Sequence, residues 1–477
     1  MDTKKLRQKI LDLAIHGKLV PQDPNDEPAS VLLQRIRTEK ERLIKEGKIK
    51  HSRKPAKTSD TPHYEQMPFE LPQGWVWITL EEISSKIGSG STPKGGNYSK
   101  DGIPFFRSQN VYNEGLVCAD MKFISNATHK RMIGTEVRPK DLLLNITGGS
   151  LGRCAIVSDE FQIGNVSQHV CIIRPIFVLS SYVHSFILSS LFKKSMNITG
   201  SGREGLPKYN LEKMFLPLPP LTEQTRIVTE IEHWTKLIDA IEQGKIALQI
   251  AIKQAKSKIL ELAIHGKLVP QNPADEPASE LLKRINPKAE IACDNEHNRK
   301  FPDGWAVLKV KDAFIINPRN ELDDNTDVGF IPMAYINDGY SGEFKYAQKK
   351  WAEIKNGFTH FSDGDIAVAK ISPCLENLKS MILKDLPNGV GAGTTELYVF
   401  RALYTSSEYS LYFFKSNIFV RKCVGTFNGV VGQQRVGKRI IEDILFPIPP
   451  SVEQERIVAK IKELFFFIDE IQESLKA

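Results

Sequence analysis

The stretch KILDLAIHGKLVPQDPNDEPASVLLQRI, at residues 9–36, decides how this chain is organised because it occurs twice. Its second copy, KILELAIHGKLVPQNPADEPASELLKRI, lies 249 residues later at positions 258–285, and 23 of the 28 residues are identical. A repeat of this length predicts two structural units built to one design.

Two shorter repeats continue the pattern at an offset of 230 residues. FLPLPPLTEQTRIVTEIE at 215–232 matches LFPIPPSVEQERIVAKIK at 445–462, and LPQGW at 71–75 matches FPDGW at 301–305. When the two offsets are used to align the halves of the sequence, the N-terminus and the C-terminus fall at nearly the same point of the repeat. We therefore expect a circularly permuted, pseudo-two-fold molecule, which suits two copies of a partner or two halves of a DNA site.

The composition is that of an ordinary globular protein. Of 477 residues, 41% are hydrophobic and 25% are charged, with a net charge of +7, and this length predicts two or more cores. No apolar run approaches about 18 residues and the N-terminus has no apolar signal region, so we expect neither a membrane span nor secretion. The six cysteines have no metal-ligand spacing, which favours reduced thiols and a cytoplasmic location.

Much of the positive charge lies between the first long repeat and LPQGW. Residues 37–58 hold nine Lys or Arg against three Glu. A basic run of this kind is typical of a solvated linker or a helix extension, and non-specific phosphate contact is the alternative. We assign residues 37–70 to a basic linker.

A 4-3 spacing of apolar residues from Glu223 to about His265 predicts one coiled-coil helix of about 42 residues. The same spacing continues at both chain ends, so the counterpart of this helix is split between them and packs most naturally antiparallel to it. His16 and His265, which share the setting AIHGKLVPQ, are interpreted as structural or interface residues and not as metal ligands. The seam residues are Ile227, Ile231, Trp234, Ile238, Ile241, Leu248, Ile252, Ala255, Ile259 and Leu262, then Ile457, Ile461, Leu464, Ile468, Ile471 and Leu475, then Leu6, Ile10 and Leu13.

Two modules of equal length, residues 76–214 and 306–444, lie between the repeats and match each other poorly. Short β-rich runs and glycine turns predict an α+β fold for both, and the whole chain is then two mixed α/β domains separated by a long antiparallel helix pair. The predicted segments are an N-terminal helical region (1–36), the basic linker (37–70), a first α/β domain (71–214), a central region with the long helix (215–300), a second α/β domain (301–444) and a C-terminal helix (445–477).

Several ordered motifs resemble the specificity (S) subunits of type I restriction-modification systems, over essentially the whole chain. PLPPLTEQTRIV at 217–228 and its counterpart PIPPSVEQERIV at 447–458 are typical of that family. The first module adds four motifs and the second adds three of a different class. They are GIPFFRSQNV (102–111), NITGGSLGR (145–153), GNVSQHV (164–170) and GREGL (202–206), then IPMA (331–334), FSDGDIAVAKISPC (361–374) and GAGTTEL (391–397).

The resemblance implies a DNA-reading subunit without catalysis of its own. It would bind double-stranded DNA, carry two methyltransferase (M) subunits and recruit restriction/translocase (R) subunits, with no membrane involved. S-adenosylmethionine, ATP and Mg would be bound by those partners, and this chain would hold no cofactor or metal. Each module would read half of a bipartite, asymmetric site, and the helices would set half-site spacing at about one helical turn.

Side chains able to pair with bases in the major groove supply the candidate contacts. Arg and Lys pair with guanine, Asn and Gln with adenine, and Glu with cytosine, although any one of these residues could instead contact phosphate or close a turn. The DNA-binding candidates are Arg107, Gln109, Asn110, Asn145, Gln168, His169 and Arg203 in the first module, and Lys370, Ser372, Thr394, Thr395, Glu396, Gln433, Gln434 and Arg435 in the second.

Catalytic motifs are weak or missing. The GxGxxG at residues 200–205 leads into Leu206-Pro207, where a dinucleotide-binding unit needs a helix start. There is no GxxxxGK[ST] for ATP and no Asn/Asp-Pro-Pro-Tyr/Phe loop for a flipped adenine. Two alternatives nevertheless stay open: a stand-alone DNA-modifying enzyme, and a coiled-coil adaptor that binds only proteins.

Overall fold

The structure is a computed structural model that describes residues 2–49, 67–96, 98–196, 198, 205–285, 301–426 and 434–474. The chain forms two compact units, unit 1 (residues 1–244) and unit 2 (residues 245–477). Most of the basic linker, from residue 50 to 66, lies outside the described residues. Its first part is helical to Lys45, as the helix-extension alternative predicts.

Unit 1 begins with two helices, and its module then alternates short strands and helices. Its helices are α1 (Thr3–Ile15), α2 (Ala29–Lys45), α3 (Leu80–Ile83), α4 (Asn126–Arg131), α5 (Ser180–Leu188), α6 (Ser190–Ser195) and α7 (Lys208–Glu212). Its strands are β1 (Val76–Thr79), β2 (Ser84–Ser89), β3 (Ile103–Phe106), β4 (Val111–Tyr112), β5 (Gly115–Leu116), β6 (Lys122–Ile124), β7 (Glu136–Val137), β8 (Leu142–Asn145), β9 (Cys154–Ile156), β10 (Gly164–Val166), β11 (Val170–Pro175) and β12 (Phe215–Leu218).

Helix α8 (Leu221–Ile264) runs from unit 1 into unit 2, and the second module has the same alternation. The helices that follow are α9 (Ala278–Ile285), α10 (Val310–Ala313), α11 (Trp351–Ile354), α12 (Ser372–Glu376), α13 (Ser407–Phe414), α14 (Asn417–Val424), α15 (Lys438–Glu442) and α16 (Ser451–Ser474). The strands are β13 (Ala306–Lys309), β14 (Phe314–Ile316), β15 (Asp327–Ile331), β16 (Ala347–Lys350), β17 (Thr359–Ser362), β18 (Ile366–Ala369), β19 (Ser380–Ile382), β20 (Val390–Gly393), β21 (Leu397–Ala402) and β22 (Leu445–Ile448).

The two modules share one topology although their sequences differ. In the first, the four-stranded sheets have the orders β2-β11-β8-β9 and β6-β3-β10-β7. In the second, the orders are β14-β21-β18-β19 and β16-β15-β20-β17, which are the same when strands are matched in chain order with the β4–β5 pair of the first module left out. Each module also pairs its first strand with its last, β1 with β12 and β13 with β22. The predicted pair of mixed α/β domains is confirmed.

The central strand β8 begins with three leucines because both of its faces are buried. Leu142 and Leu144 belong to the core that also contains Tyr182 and Phe186 of α5. Leu143 faces the other way, into a core with Phe106 and Val166 of the second sheet. A strand covered on both faces has no solvent side, which is why the run LLL does not alternate with polar residues.

The long helix prediction is confirmed, since α8 spans 44 residues, about 66 Å at 1.5 Å per residue. Within unit 1 it runs antiparallel to α1: Arg7, near the start of α1, bonds Asp239 (2.6 Å), while Gln22, beyond its end, bonds Glu223 (3.2 Å). Of the predicted seam in this part, Ile227 and Ile238 are buried, whereas Trp234 and Ile241 are 39% and 38% exposed.

Unit 2 repeats this helix pairing with α16. Lys256 of α8 bonds Asp469 near the end of α16, and Gln271, beyond the end of α8, bonds Glu453 near its start (2.7 Å). Lys256 and Asp469 lie 249 and 230 residues after Arg7 and Asp239, the same two offsets that separate the sequence repeats. The split counterpart predicted for the long helix is therefore α1 in unit 1 and α16 in unit 2.

The repeated segments meet at one buried glutamate in each unit. In unit 1 the Trp75 indole donates to Glu223 (2.9 Å), which also accepts from Gln22, so LPQGW, the long repeat and the EQ motif are joined. In unit 2 the Trp305 indole donates to Glu453 (3.0 Å). Burial raises the pKa of both carboxyls above the ordinary glutamate range, against the opposing effect of these donors.

The AIHG motif ends a helix against the same tryptophan region. Gly17 and Gly266 have φ of +65° and +66°, the left-handed conformation in which glycine avoids the Cβ clash. A Cβ at Gly17 would overlap the ring of Pro72, and one at Gly266 would overlap Pro302. This helix end therefore requires glycine for its backbone and for its packing.

Candidate nucleic-acid interface

The motifs of the first module come together at the carboxyl end of β8. We call residues 107–110, 145–151, 167–169 and 205–206 the first loop cluster. Its segments are tied through the backbone: Ser167 N–H donates to Phe106 O (2.9 Å), Ile146 N–H to His169 O (3.0 Å) and Leu206 N–H to Ile146 O (2.9 Å).

The second module contains an equivalent second loop cluster at the end of β18, formed by residues 332–335, 369–376, 394–396 and 434–436. Here Thr394 N–H donates to Ile331 O (3.2 Å), Lys370 N–H to Glu396 O (2.9 Å) and Val436 N–H to Lys370 O (3.0 Å). These are the same three connections in the same order. The candidate residues within the described ranges of each module therefore occupy one shared backbone arrangement.

In each module an ion pair between a buried aspartate and a partly exposed arginine lies just before the strand that leads into the loop cluster, β8 or β18. Asp141 is 1% exposed and accepts two bonds from Arg174, at 2.6 and 2.7 Å. Asp365 is 2% exposed and accepts two from Arg401, at 2.8 and 2.9 Å. A bidentate pair of this kind fixes the strand start, and so positions the loop at the other end of the strand. Sequence reasoning missed both pairs, since nothing in the local motifs links residues so far apart.

Two asparagines of the first cluster are buried and hold the loops. Asn110 accepts from Arg107 N–H (3.1 Å) and donates to Val117 O (3.0 Å). Asn145, fully buried, donates to Ser108 O (2.9 Å) and to Ser150 Oγ (3.2 Å). Their amide donors are engaged inside the module, so in this arrangement they stabilise the loops and present no edge to an adenine.

The exposed candidates of the first cluster lie on its rim. Gln109 and Gln168 are exposed, and His169 is half-buried. The His169 ring bonds the Thr147 hydroxyl through Nδ1 (2.7 Å), so Thr147, a residue missed among the candidates, orients it. Arg107 donates through Nη2 to Asp120 O (2.7 Å), which directs the guanidinium along the loop. Arg203 lies outside the described residues.

The second cluster presents three charged side chains, of which Glu396 occupies the position equivalent to His169. Arg435 donates to Glu396 through Nε (2.8 Å) and Nη2 (2.8 Å), and these bonds lower the pKa of the Glu396 carboxyl. The Lys370 ammonium lies 5.2 Å from the centre of the Tyr398 ring. The Glu396–Arg435 pair is accessible, since the Glu396 side chain is 24% exposed and that of Arg435 is 47% exposed.

The remaining candidates of the second module differ in accessibility. Thr395 is exposed and Thr394 is half-buried. Ser372 is 7% exposed, and its N–H donates to Gln434 O (2.8 Å), so it positions the loop. Gln433 lies outside the described residues.

Within the described ranges, no cluster of three or more His, Cys, Asp or Glu side chains has the arrangement of a metal site. Among the same residues, no helix has the length and apolar character needed to cross a bilayer. His16 and His265 each bond the carbonyl four residues earlier, Asp12 O (2.6 Å) and Glu261 O (2.8 Å), as expected for structural histidines.

Comparison with known proteins places this geometry in a family. Residues 72–250 and 302–477 match the family model described as "Type I restriction modification DNA specificity domain". The EcoAI specificity subunit of Escherichia coli is 40% identical over 271 residues, which are 52% of this chain and 46% of that protein. The EcoEI specificity subunit of Escherichia coli is 42% identical over 250 residues, 48% of this chain and 42% of that protein. The chain thus aligns with about half the length of these two relatives.

A more distant relative aligns over most of both chains. The EcoKI specificity subunit of Escherichia coli is 21% identical over 426 residues, 85% of each protein. These three relatives are named as specificity subunits, which agrees with the prediction that this chain is a non-catalytic component.

Solved structures show the same fold at low sequence identity. A chain from a study of assembly and conformational transition of the type I R-M system has a TM-score of 0.56 at 16% identity, covering 86% of this chain and 94% of that one. The HsdS subunit from Thermoanaerobacter tengcongensis has a TM-score of 0.52 at 15% identity, covering 86% and 93%. Because its family model matches both modules and most of the chain, this protein belongs to the type I restriction-modification specificity subunits.

Proposed function

We propose that this chain reads a bipartite, asymmetric DNA site, with one loop cluster on each half. The observation that carries the proposal is the pair of equivalent clusters, which share their backbone connections and differ in their side chains. His169 of the first cluster stands where the second has Glu396, since each carbonyl accepts the equivalent backbone bond. Two loop clusters with the same backbone arrangement and different side chains suit a DNA site whose two halves differ in sequence.

The exposed side chains have the chemistry for reading base edges. Gln109 and Gln168 can pair with adenine, and Arg435 and Lys370 with guanine, whereas Glu396 can accept from the cytosine amino group. In this reading Asn110, Asn145 and Ser372 stabilise loops and do not touch bases. The basic residues also supply the phosphate contacts on which much of the affinity of DNA-binding proteins depends.

We further propose that the chain works in the cytoplasm as the non-catalytic core of a complex. Two methyltransferase subunits and the restriction/translocase subunits would be its partners, and they would bind S-adenosylmethionine, ATP and Mg. The names of the relatives, all specificity subunits of type I restriction enzymes, support this assignment. Helix α8, continuous over 44 residues, would set the spacing between half-sites.

Genome-wide mapping of N6-methyladenine tests the proposal. Cells that express this chain with its methyltransferase partner should acquire a methylated bipartite, asymmetric motif that is absent when the chain is omitted. If an active, bound partner produces no such motif, the proposal fails and the protein-only adaptor becomes the better interpretation.

Exchange of the first module refines the test. Replacing residues 76–214 with the matching segment of another specificity subunit should change one half of the motif and leave the other half and the spacer unchanged. The reciprocal exchange of residues 306–444 is the matched control, and it should change only the opposite half. Simultaneous change of both halves by either exchange would contradict independent reading.

A further inference from the structure

The second loop cluster contains a charged pair that the first lacks. The bridge between Ile371 and Arg435 corresponds to the bridge between Thr147 and Gly205, so a glycine stands in the first module where Arg435 stands in the second. Glu396 likewise has His169 as its counterpart. The Glu396–Arg435 pair is therefore an addition to a shared scaffold and is not needed to form that scaffold.

The geometry of the pair uses the groups that would contact DNA. Arg435 places Nε and Nη2 on the Glu396 carboxylate, with three donor–acceptor distances of 2.8 to 3.0 Å. A guanidinium engaged in this way cannot at the same time present those two N–H groups to a guanine. Glu396 would also face the negative phosphates of a bound duplex, which disfavours binding unless a base donates to it.

We propose that Glu396 and Arg435 together determine specificity for a G·C pair in the half-site read by the second module, an inference that rests on the proposed function. In the major groove, guanine O6 and N7 accept from an arginine, and the cytosine amino group can donate to a carboxylate. One G·C pair therefore offers a partner to each member when their own bond opens. An A·T pair offers a donor, adenine N6, and the acceptors adenine N7 and thymine O4, but neither base has two acceptors that an arginine can bridge. At such a pair Arg435 would gain a single bond in place of two, and the ion pair stays closed.

Glu396 acts in this scheme as a selector against wrong sites. Without the Glu396 charge, the Nε and Nη2 groups of Arg435 would be held less strongly and could turn to a phosphate, and binding would become tighter but less discriminating. Lys370, whose charge also acts on Glu396, gives the three side chains Lys370, Glu396 and Arg435 a combined charge of one positive unit, which favours the approach to DNA.

The test uses the full chain in complex with its methyltransferase partner and duplexes based on the wild-type motif. Each base pair of both half-sites is substituted in turn, and binding is measured for the wild type, Glu396→Gln and Arg435→Lys. Arg435→Lys keeps the charge but loses bidentate pairing, so discrimination at one G·C position of the second half-site should fall by roughly tenfold to a hundredfold.

Glu396→Gln should give a different signature. Binding to non-cognate duplexes should tighten severalfold, with the slope of log affinity against log salt steeper by about one phosphate contact. Discrimination at the same G·C position should fall, while every position of the first half-site keeps its wild-type preference. Retained preference at the other positions of the second half-site shows that unit 2 of the variant is folded.

Lys438→Gln is the matched control for loss of charge. Lys438 is an exposed residue of α15 that pairs with Glu442 at 3.3 Å, three residues beyond Arg435. This variant should leave the base preference of both half-sites unchanged. A shift of preference at the same G·C position would overturn the assignment to the Glu396–Arg435 pair.

Equal weakening of all duplexes by Arg435→Lys and Glu396→Gln would also overturn the inference, since it would assign Arg435 to phosphate contact. Failure of the proposed function gives a separate result: the wild-type complex itself would then show no bipartite motif. An unchanged second half-site in both variants, with the wild-type motif present, rejects the inference alone.

Discussion

Unit 1 and unit 2 have different side chains in their loop clusters, although the backbone connections of these clusters are the same. The Trp75–Glu223 and Trp305–Glu453 bonds measure 2.9 and 3.0 Å, and the two loop clusters share the same backbone connections. At the loop tips, however, Thr147 and His169 of unit 1 are replaced by Ile371 and Glu396 of unit 2. We call the residues of the tryptophan–glutamate bonds the frame of each unit. Because these residues lie outside the loops, the frame can stay the same while the side chains of the loops change.

Loss of the frame tryptophan should produce the largest effect. Trp75→Ala removes a side chain that is 6% exposed and leaves the buried Glu223 without its indole donor, so unit 1 should lose about 3–5 kcal/mol of unfolding free energy. Trp305→Ala should cost unit 2 somewhat less, because Trp305 is only partly buried. Hydrogen exchange during denaturant titration would measure each unit separately.

If Trp75→Ala destabilised both units equally, or neither of them, the result would contradict the claim that this tryptophan stabilises unit 1 in particular. Phe215→Ala, at an exposed position of β12 in the same unit, is a suitable control and should have a much smaller effect.

Lys415 should cause a pH effect that is confined to unit 2. It follows α13, and its equivalent in unit 1 is Leu188, since Ser416 and Ser189 cap the next helices in the same way. Lys415 is 1% exposed and donates to Gly339 O (2.5 Å) and Leu378 O (3.0 Å), and burial lowers its pKa from 10.5 to about 7.

The sign follows from proton uptake. Between pH 10.5 and about 7 the unfolded chain binds a proton at Lys415 that the folded chain does not, so stability is lost as the pH falls through this window. Lys415→Leu should remove this pH dependence. The unfolding free energy of the wild type minus that of the variant should therefore rise by about 3 kcal/mol from pH 7 to pH 10. Parallel pH profiles for variant and wild type would contradict the assignment.

The smallest expected effect concerns two equivalent tyrosines. Tyr182 OH donates to Pro217 O (2.6 Å) and Tyr409 OH to Pro447 O (3.0 Å), and both side chains are fully buried. Tyr182→Phe and Tyr409→Phe should each destabilise their own unit by about 1 kcal/mol, since each leaves a buried carbonyl without a partner. Unequal costs in thermal or denaturant unfolding would show that the two frames are not equivalent.

Sequence periodicity was sufficient to predict the long helix. The 4-3 spacing predicted a helix from Glu223 to about His265, and α8 spans Leu221–Ile264, because helix register depends on local spacing and on the prolines before it. Periodicity was less informative about burial, since Trp234 and Ile241 continue the pattern but are exposed. Membership of the specificity-subunit family was also predicted, from motifs that stay contiguous in the chain.

The candidate interface was only partly accessible to such reasoning. The RSQN and NITGG motifs lie in one loop cluster, yet Asn110 and Asn145 are buried and Gln109 is exposed. Residue type reports hydrogen-bonding capacity and says nothing of which groups the fold has already engaged. Likewise, the Glu396–Arg435 pair joins residues 39 positions apart, and no local pattern links them.

The sequence by itself determined the duplicated design, the long helix, the family and the loops that carry the candidate residues, because repeats, periodicity and motifs are local properties of the chain. Only the tertiary structure decided that two dissimilar modules share one topology, that Asp141–Arg174 and Asp365–Arg401 support equivalent strands, and which polar groups remain accessible. These features depend on contacts between distant residues, since a buried hydrogen bond needs both of its partners brought together by the fold.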